Sequence, residues 1–318
     1  MLNDVKTVAI GIEPFAEPDK HLSDVQDILT WFGSEILKVY FVGVLNPDDI
    51  GWPKDIDDEA WRSKLQQMAA SKIRENLELN AFGVDFEVKI FVQKNASKSE
   101  SVVNFLKFAE EKEVDLLVVH SNTKSNLRAL LGSFCSKLIH KSQIPILVIP
   151  FEGHVSKQLI SVLFPTDFSG LSKRVFNSVV RWAIHLKANV NLYHRLARPI
   201  DEILQIALHP SRSKTVMPSD IVLLTEGEMK QKSKEWLDSA NQENSAVIFE
   251  MNSEGITLTE AILEQAKRQK VQLIALPTHS SEVNVLSLGS AVNHVLRTSP
   301  IPVLIVPVPY IHPGDFPQ

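Results

Sequence analysis

The chain has 318 residues, 44 % of them hydrophobic and 22 % charged, with a formal net charge of −5 and one cysteine. That length points to two domains, and the acidic balance argues against nucleic acid or an anionic membrane surface as partner. A single cysteine excludes an intrachain disulfide and fits a reducing, cytoplasmic compartment. The opening MLNDVKTVAIGIEP is too short an apolar stretch for a signal peptide and is interrupted by Glu13. No apolar run of about 18 residues follows, so no membrane span is expected.

Taken in chain order, apolar runs predict first-half strands at Val5–Ile12, Val39–Leu45, Phe86–Val92, Val114–Val119 and Ile144–Ile149. Ser97-x-x-Glu100 reads as a capping box that opens a helix. A short Gly-containing polar linker covers Phe151–Lys157. The second half opens with a strand at Ile160–Pro165. A helix follows over Lys173–Lys187, where Val175, Val179, Ala183 and Leu186 recur at helical spacing. Val190–His194 is the next strand. Residues 195–226, with prolines at 199, 210 and 218, read as a long connection, and its Leu204, Ile206 and Leu208 make it a candidate lid over the second-half cleft. Then come a polar helix near Glu226–Gln242, a strand at Ala246–Met251 and a second capping box, Thr257-x-x-Glu260, with a helix to Lys270. Val271–Leu276, a helix at Gly289–Arg297 and a strand at Pro302–Val308 complete the order. The expected division is 1–151, 157–309 and an irregular tail at 310–318.

The two halves repeat. Residues 116–150 align with 273–307 without a gap, at an offset of 157, with nine identical positions. These include Leu131-Gly132-Ser133 with Leu288-Gly289-Ser290, and Ile144-Pro145 with Ile301-Pro302. So long a period marks a domain duplication, not a solenoid. Alternating apolar strands and helices predict, for each half, a doubly wound parallel sheet covered on both faces. An apolar last strand, Ile144–Ile149 or Pro302–Val308, would leave each isolated half with an exposed sheet edge, which is an aggregation liability.

Ligands of such sheets bind beyond the carboxyl ends of the strands, where the winding reverses. In the second half this puts Pro165, Thr166, Asp167, Phe168 and Ser169 after the first strand, and Tyr193 and His194 after the second. Pro277, Thr278, His279 and Ser280 follow the fourth, and Gly289-Ser290 opens the last helix. The first-half counterparts are Gly11, Glu13, His120, Ser121, Asn122, Gly132 and Ser133.

These segments resemble the universal stress protein family in its tandem form. ISVLFPTDFSGLSKRVFNSVVRWA is similar to the family's opening strand and P-x-D-x-S turn, and LGSAVNHVLRTSPIPVLIVP and LLGSFCSKLIHKSQIPILVIP to its closing helix and strand. The resemblance implies two Rossmann-like sheets of five parallel strands in order 3-2-1-4-5, paired as an intramolecular pseudo-dimer. It also implies ATP binding through G-x2-G-x9-G-[ST], in which glycines admit the phosphates and the last Gly-Ser offers a helix N-terminus. This chain reads Val119-x2-Asn122-x9-Gly132-Ser133 and Leu276-x2-His279-x9-Gly289-Ser290, so only the terminal Gly-Ser remains. By the resemblance, Asp167 faces the adenine with Pro165 beside it. The first half has Glu13 and Gly11 there, but carries Lys124 and Arg128 near its phosphate loop.

The expected site is therefore Pro165, Asp167, His194, His279, Ser280, Gly289 and Ser290, holding AMP, ADP or ATP weakly. His279 narrows the phosphate channel, which favours a mono- or diphosphate. Asp167, His194 and His279 also form a candidate metal corner, and that metal-dependent enzyme reading stands third. The leading expectation is a non-catalytic stress-response protein with no catalytic residues and no resident metal. The alternative is a nucleotide-free scaffold for protein partners, and homo-oligomer formation stays open.

Overall fold

Strands that are apolar on both faces belong inside a covered sheet, and the computed structural model builds one such sheet. It describes residues 5–12, 19–33, 36–45, 58–76, 85–92, 98–121, 133–150, 153–196, 218–240, 245–251, 255–278 and 290–308. The first-half strands are β1 (Thr7–Ile12), β2 (Lys38–Leu45), β3 (Asp85–Val92), β4 (Leu116–His120) and β5 (Ile146–Ile149). Those of the second half are β6 (Ser161–Pro165), β7 (Asn189–Leu196), β8 (Val247–Met251), β9 (Leu273–Pro277) and β10 (Val303–Val306). Among the described residues they form a single sheet in the order β3-β2-β1-β4-β5-β10-β9-β6-β7-β8. Each half thus has the expected 3-2-1-4-5 order. Every neighbouring pair is parallel except β5 with β10.

Among the described residues, eight helices cover the two faces. They are α1 (Asp19–Phe32), α2 (Asp58–Asn76), α3 (Lys98–Glu111), α4 (Ser133–Lys141), α5 (Gly170–His185), α6 (Pro218–Ser239), α7 (Leu258–Arg268) and α8 (Ser290–Thr298). One core packs α1, α2, α5 and α6 against the sheet, the other α3, α4, α7 and α8. Each core runs through both halves, because alternate residues of β5 and β10 face opposite layers: Leu147 and Leu304 one way, Ile146 and Ile305 the other.

The antiparallel pairs are Ile146↔Ile305, Leu147↔Leu304 and Val148↔Val303. Leu147 and Leu304 differ by the repeat offset of 157, so the pseudo-twofold axis passes through this pair. Other repeated positions do the same work twice. The Asp115 carboxylate accepts from the Lys6 and Thr7 amides at 2.9 Å, and at the equivalent place Gln272 Oε1 accepts from Ile160 and Ser161 at 3.0 and 2.9 Å. Ser142 donates to the Ile144 carbonyl, as Ser299 does to Ile301, both at 2.7 Å, which fixes the turn before each Ile-Pro strand.

The linker is clamped by both halves. Trp31 Nε1 of α1 donates to the Ser156 carbonyl at 2.6 Å, and the Thr30 hydroxyl to Lys157 at 2.8 Å. The His154 amide donates to the Pro300 carbonyl at 3.0 Å. Phe32 and Trp182 meet across the axis with ring centroids 5.9 Å apart.

One expected connection is partly helical. Within 195–226, β7 continues to Leu196 and α6 starts at Pro218, eight residues before the expected Glu226. Proline suits a first helical turn, because its missing N–H has no acceptor there. The buried Ser233 and Trp236 anchor that helix. Residues 204, 206 and 208, Ser97 and the tail 310–318 lie outside the described residues. The Thr257–Glu260 box is formed: the Glu260 amide donates to Thr257 Oγ1 at 3.2 Å and the Thr257 amide to Glu260 Oε2 at 2.7 Å. That amide bond, with the hydroxyl bond from the same residue, holds the Glu260 carboxyl below its ordinary pKa.

Candidate functional site at the open ends of β6, β7 and β9

The β6–β9 ladder pairs only Val162↔Leu273 and Leu163↔Ile274. Beyond it both strands end in a proline, Pro165 and Pro277, which lacks an N–H to extend a ladder. The strands part at the point where the winding reverses, and this is where an open α/β sheet has its crevice. The β6–β7 ladder instead runs on, through Pro165↔Tyr193 and a 2.9 Å bond from the Thr166 amide to the Tyr193 carbonyl. The floor of the site is therefore β7 and β6, and its open side faces β9.

The turn after β6 sorts its side chains sharply. Asp167 is exposed and Phe168 is buried, 7 % accessible, with φ +55°. A left-handed conformation costs an L-residue about 1–2 kcal/mol, and aromatic packing offsets it. The Phe168 ring lies 5.1 Å from Trp236 and 5.2 Å from His194, centroid to centroid, and stacks on Phe249 at 6.3 Å. Asp167 Oδ1 accepts from the Ser169 amide at 3.0 Å and from the Ser172 hydroxyl at 2.5 Å. Ser169 then caps α5 by accepting from the Ser172 amide at 3.2 Å. P-T-D-F-S is thus one unit: phenylalanine anchors it, serine starts the helix, and the aspartate stands at the crevice.

His194 points to the opposite layer from its neighbours. Its Nδ1 lies 2.7 Å from the Thr166 carbonyl. A carbonyl only accepts, so Nδ1 is the donor of this bond. The ring also packs on Phe249, at 6.2 Å. Its role in the described structure is to hold the turn after β6. Among the described residues no group of three or more His, Cys, Asp or Glu side chains could hold a metal ion. His279, the third member of the candidate metal corner, lies outside them.

Tyr193 and Arg195 face the α7–α8 layer. Tyr193 is fully buried and donates its hydroxyl to Glu250 Oε2 at 2.8 Å. Burial, and then the Glu250 carboxylate, push the phenol well above its ordinary pKa, so it remains a neutral donor. Arg195 Nη2 donates to the Ile256 carbonyl, just before α7, at 2.9 Å. Tyr193 is among the strand-end candidates of the sequence, whereas Glu250 and Arg195 are not, and the Tyr193–Glu250 pair spans 57 residues.

Of the expected site residues, Pro165, Asp167 and His194 come together at one strand end, and Ser290 is the first residue of α8. His279, Ser280 and Gly289 lie outside the described residues, as do Glu13, Asn122, Lys124, Arg128 and Gly132. The register supports the comparison of halves. Val8↔Leu116 and Val162↔Leu273 are equivalent pairs, which makes Gly11 the counterpart of Pro165. A Cβ on Gly11 would come within 3.1 Å of Val119 Cγ1, so the glycine lets β1 lie close against β4 at that point. Cys135 is buried in the α3–α4 layer, and burial pushes its thiol up to about 12, which leaves it a packing group.

A duplicated, doubly wound α/β chain whose crevice opens at the reversal of winding is a tandem Rossmann-like protein. The chain belongs to the universal stress protein family, whose model matches residues 24–150 and again 161–307. It is 24 % identical over 267 residues to a universal stress protein of Mycobacterium tuberculosis strain H37Rv, covering 80 % of this chain and 83 % of that one. A universal stress protein of Methanocaldococcus jannaschii is 35 % identical over 89 residues, 28 % of this chain and 52 % of its own. Among solved structures, a universal stress protein of Archaeoglobus fulgidus superposes with a TM-score of 0.61 at 17 % identity, covering 96 % of this chain and 97 % of that one. A Pseudomonas aeruginosa protein of unknown function gives 0.63 at 13 %, covering 96 % and 94 %. At these identities the structural likeness speaks for the fold alone. No helix among the described residues is long and apolar enough to cross a membrane.

Proposed function

We propose that this protein is a non-catalytic, nucleotide-responsive stress protein of the cytoplasm, whose second half holds an adenine nucleotide weakly at the open ends of β6, β7 and β9. The observation that carries this reading is the Asp167 turn. Its carboxylate is fixed by Ser169 and Ser172 at the mouth of the crevice, and the phenylalanine behind it is held in a strained conformation. Strain of this kind persists where the surroundings over-determine it, and it clusters at ligand sites. On the far side of the crevice α8 begins at Ser290, and a helix start favours phosphate. The two ends required by a mononucleotide are thereby supplied by one half.

Among the described residues no base, nucleophile and oxyanion donors converge in the crevice. Asp167 is engaged in its turn, and Tyr193 is held neutral. The protein is expected to bind ATP without multiple turnover when magnesium is present. Equilibrium dialysis of the purified protein against AMP, ADP and ATP tests the reading: saturable binding of one nucleotide per chain supports it. His279 and Asn122, standing where the family signature has glycines, favour a second reading, a nucleotide-free scaffold for protein partners, and that reading predicts no bound nucleotide.

A further inference from the structure

The sheet ends in two margins, β3 and β8, each with one strand neighbour among the described residues. The direction of the backbone groups on β3 follows from the register. The Lys38 amide donates to the Lys6 carbonyl, so the even-numbered residues of β2 bond β1 and the odd-numbered ones bond β3. Phe41 lies opposite Val88, and in a parallel ladder it bonds the residues on either side, Glu87 and Lys89. The N–H and C=O groups of Val88 and Ile90 therefore point outward. The Gln66 side-chain amide of α2 reaches one of them, the Val88 carbonyl, at 2.8 Å. Among the described residues the Val88 amide and the two outward groups of Ile90 have no partner.

An edge of eight residues with unpaired backbone groups is a template for another strand. Which strand it takes is decided by the side chains. Phe86, Val88 and Ile90 face the α1–α2 layer, and Asp85, Glu87, Lys89 and Phe91 the opposite one. Asp85 is paired with Lys38 on β2. Glu87 and Lys89 are half-buried and have no ion-pair partner among the described residues. Turned end for end about Val88, the strand is complementary to itself: Val88 meets Val88, Phe86 meets Ile90, and Glu87 meets Lys89 twice on one face. Neighbouring registers lose this. Centring on Glu87 or on Lys89 puts like charges directly opposite, which is destabilising, and centring on Ile90 sets Lys89 against Phe91. The other margin has no such symmetry, since β8 turned about Phe249 sets Glu250 against Ile248.

The geometry points to β3 as the docking edge for a second copy of this chain, joined antiparallel about Val88 through two Glu87–Lys89 pairs. The junction repeats between copies what β5 and β10 form within the chain, an antiparallel seam across a twofold axis, and because it is isologous it closes at two copies. Gln66 guards the edge, because its bond to the Val88 carbonyl opens before the strands meet. The inference is independent of the nucleotide reading.

The test is sedimentation equilibrium of the full-length protein from low to high micromolar concentration, where wild type is expected to form a reversible dimer. Glu87→Lys and Lys89→Glu each turn both opposite-charge pairs into like-charge pairs, and each is expected to weaken the dimer about tenfold or more. Mixing these two single variants restores it, since each lysine of one copy then meets a glutamate of the other. The double variant, Glu87→Lys with Lys89→Glu, is again self-complementary and dimerises within about threefold of wild type. Gln66→Ala frees the Val88 carbonyl and tightens the dimer severalfold. Far-UV circular dichroism checks the folding of each variant, and rescue in the mixture itself requires both single variants to be folded. The inference is overturned by a wild-type protein that stays monomeric throughout, by single variants that dimerise like wild type, by a mixture or a double variant that does not recover the dimer, or by a Gln66→Ala dimer weaker than that of wild type.

Discussion

Phe168 gives the sharpest energetic test of the Asp167 turn. Replacing it with alanine empties the space between His194, Trp236 and Phe249, whose ring centroids lie 5.1–6.3 Å from its own. At 7 % exposure nearly the whole ring is lost from the core, so the cost is about 3–5 kcal/mol. Glycine removes the same ring. At most positions glycine is the worse replacement, but at φ +55° the order reverses. Alanine retains a left-handed penalty of about 1–2 kcal/mol, while glycine loses about 0.4–1 kcal/mol through the freedom of the unfolded chain. Phe168→Gly is therefore expected to be more stable than Phe168→Ala by about 1 kcal/mol. Urea titrations read this directly. With an m-value of about 3 kcal/mol/M the midpoints differ by about 0.3 M, at equal m. A glycine variant less stable than the alanine variant would show that Phe168 is not a strained anchor.

Gly153→Ala is expected to destabilise the whole chain by about 1–3 kcal/mol, since the new methyl would overlap the Pro300 carbonyl and the Pro150 ring; an unchanged urea midpoint contradicts the clamped linker. Lys270 ends α7 at φ +51°, while the next amide, Val271, reaches back to the Ala266 carbonyl. Lys270→Gly should then stabilise by about 1 kcal/mol, and a fall in melting temperature would refute that. The Tyr193 phenol has its folded pKa raised above the unfolded value of 10.0. Its contribution is thus complete below pH 10 and is lost as the pH climbs from there toward the folded value. Tyr193→Phe should flatten the alkaline decline in stability, and an identical decline in both proteins would count against the buried Tyr193–Glu250 bond.

Much of the architecture is readable from pattern because the central strands have no polar face. β4, β5, β9 and β10 are continuous apolar runs, and a gap-free repeat at 157 residues places their partners. The Thr257–Glu260 capping box is equally local, two side chains three residues apart. What stays hidden is long-range. Nothing in Tyr193 announces a partner 57 residues on, and nothing in Arg195 announces the Ile256 carbonyl. His194 illustrates a different limit. A histidine at a strand end reads as a ligand candidate, and the structure instead turns it into the aromatic layer, bonded to Thr166, because strand alternation sends it away from the face of Tyr193. The start of α6 was obscured by Pro218, which signals a break in the middle of a helix but is welcome at its first position.

An adenine nucleotide is proposed to sit in the second half, oriented by Asp167. Calorimetric titration of AMP into wild type, Asp167→Ala and Glu13→Ala tests it most directly. Few retained contacts imply a wild-type Kd on the order of 10 μM or weaker. Asp167→Ala is expected to weaken that binding severalfold, and Glu13→Ala to leave it unchanged. Binding abolished by Glu13→Ala and untouched by Asp167→Ala would place the ligand in the first half and contradict it.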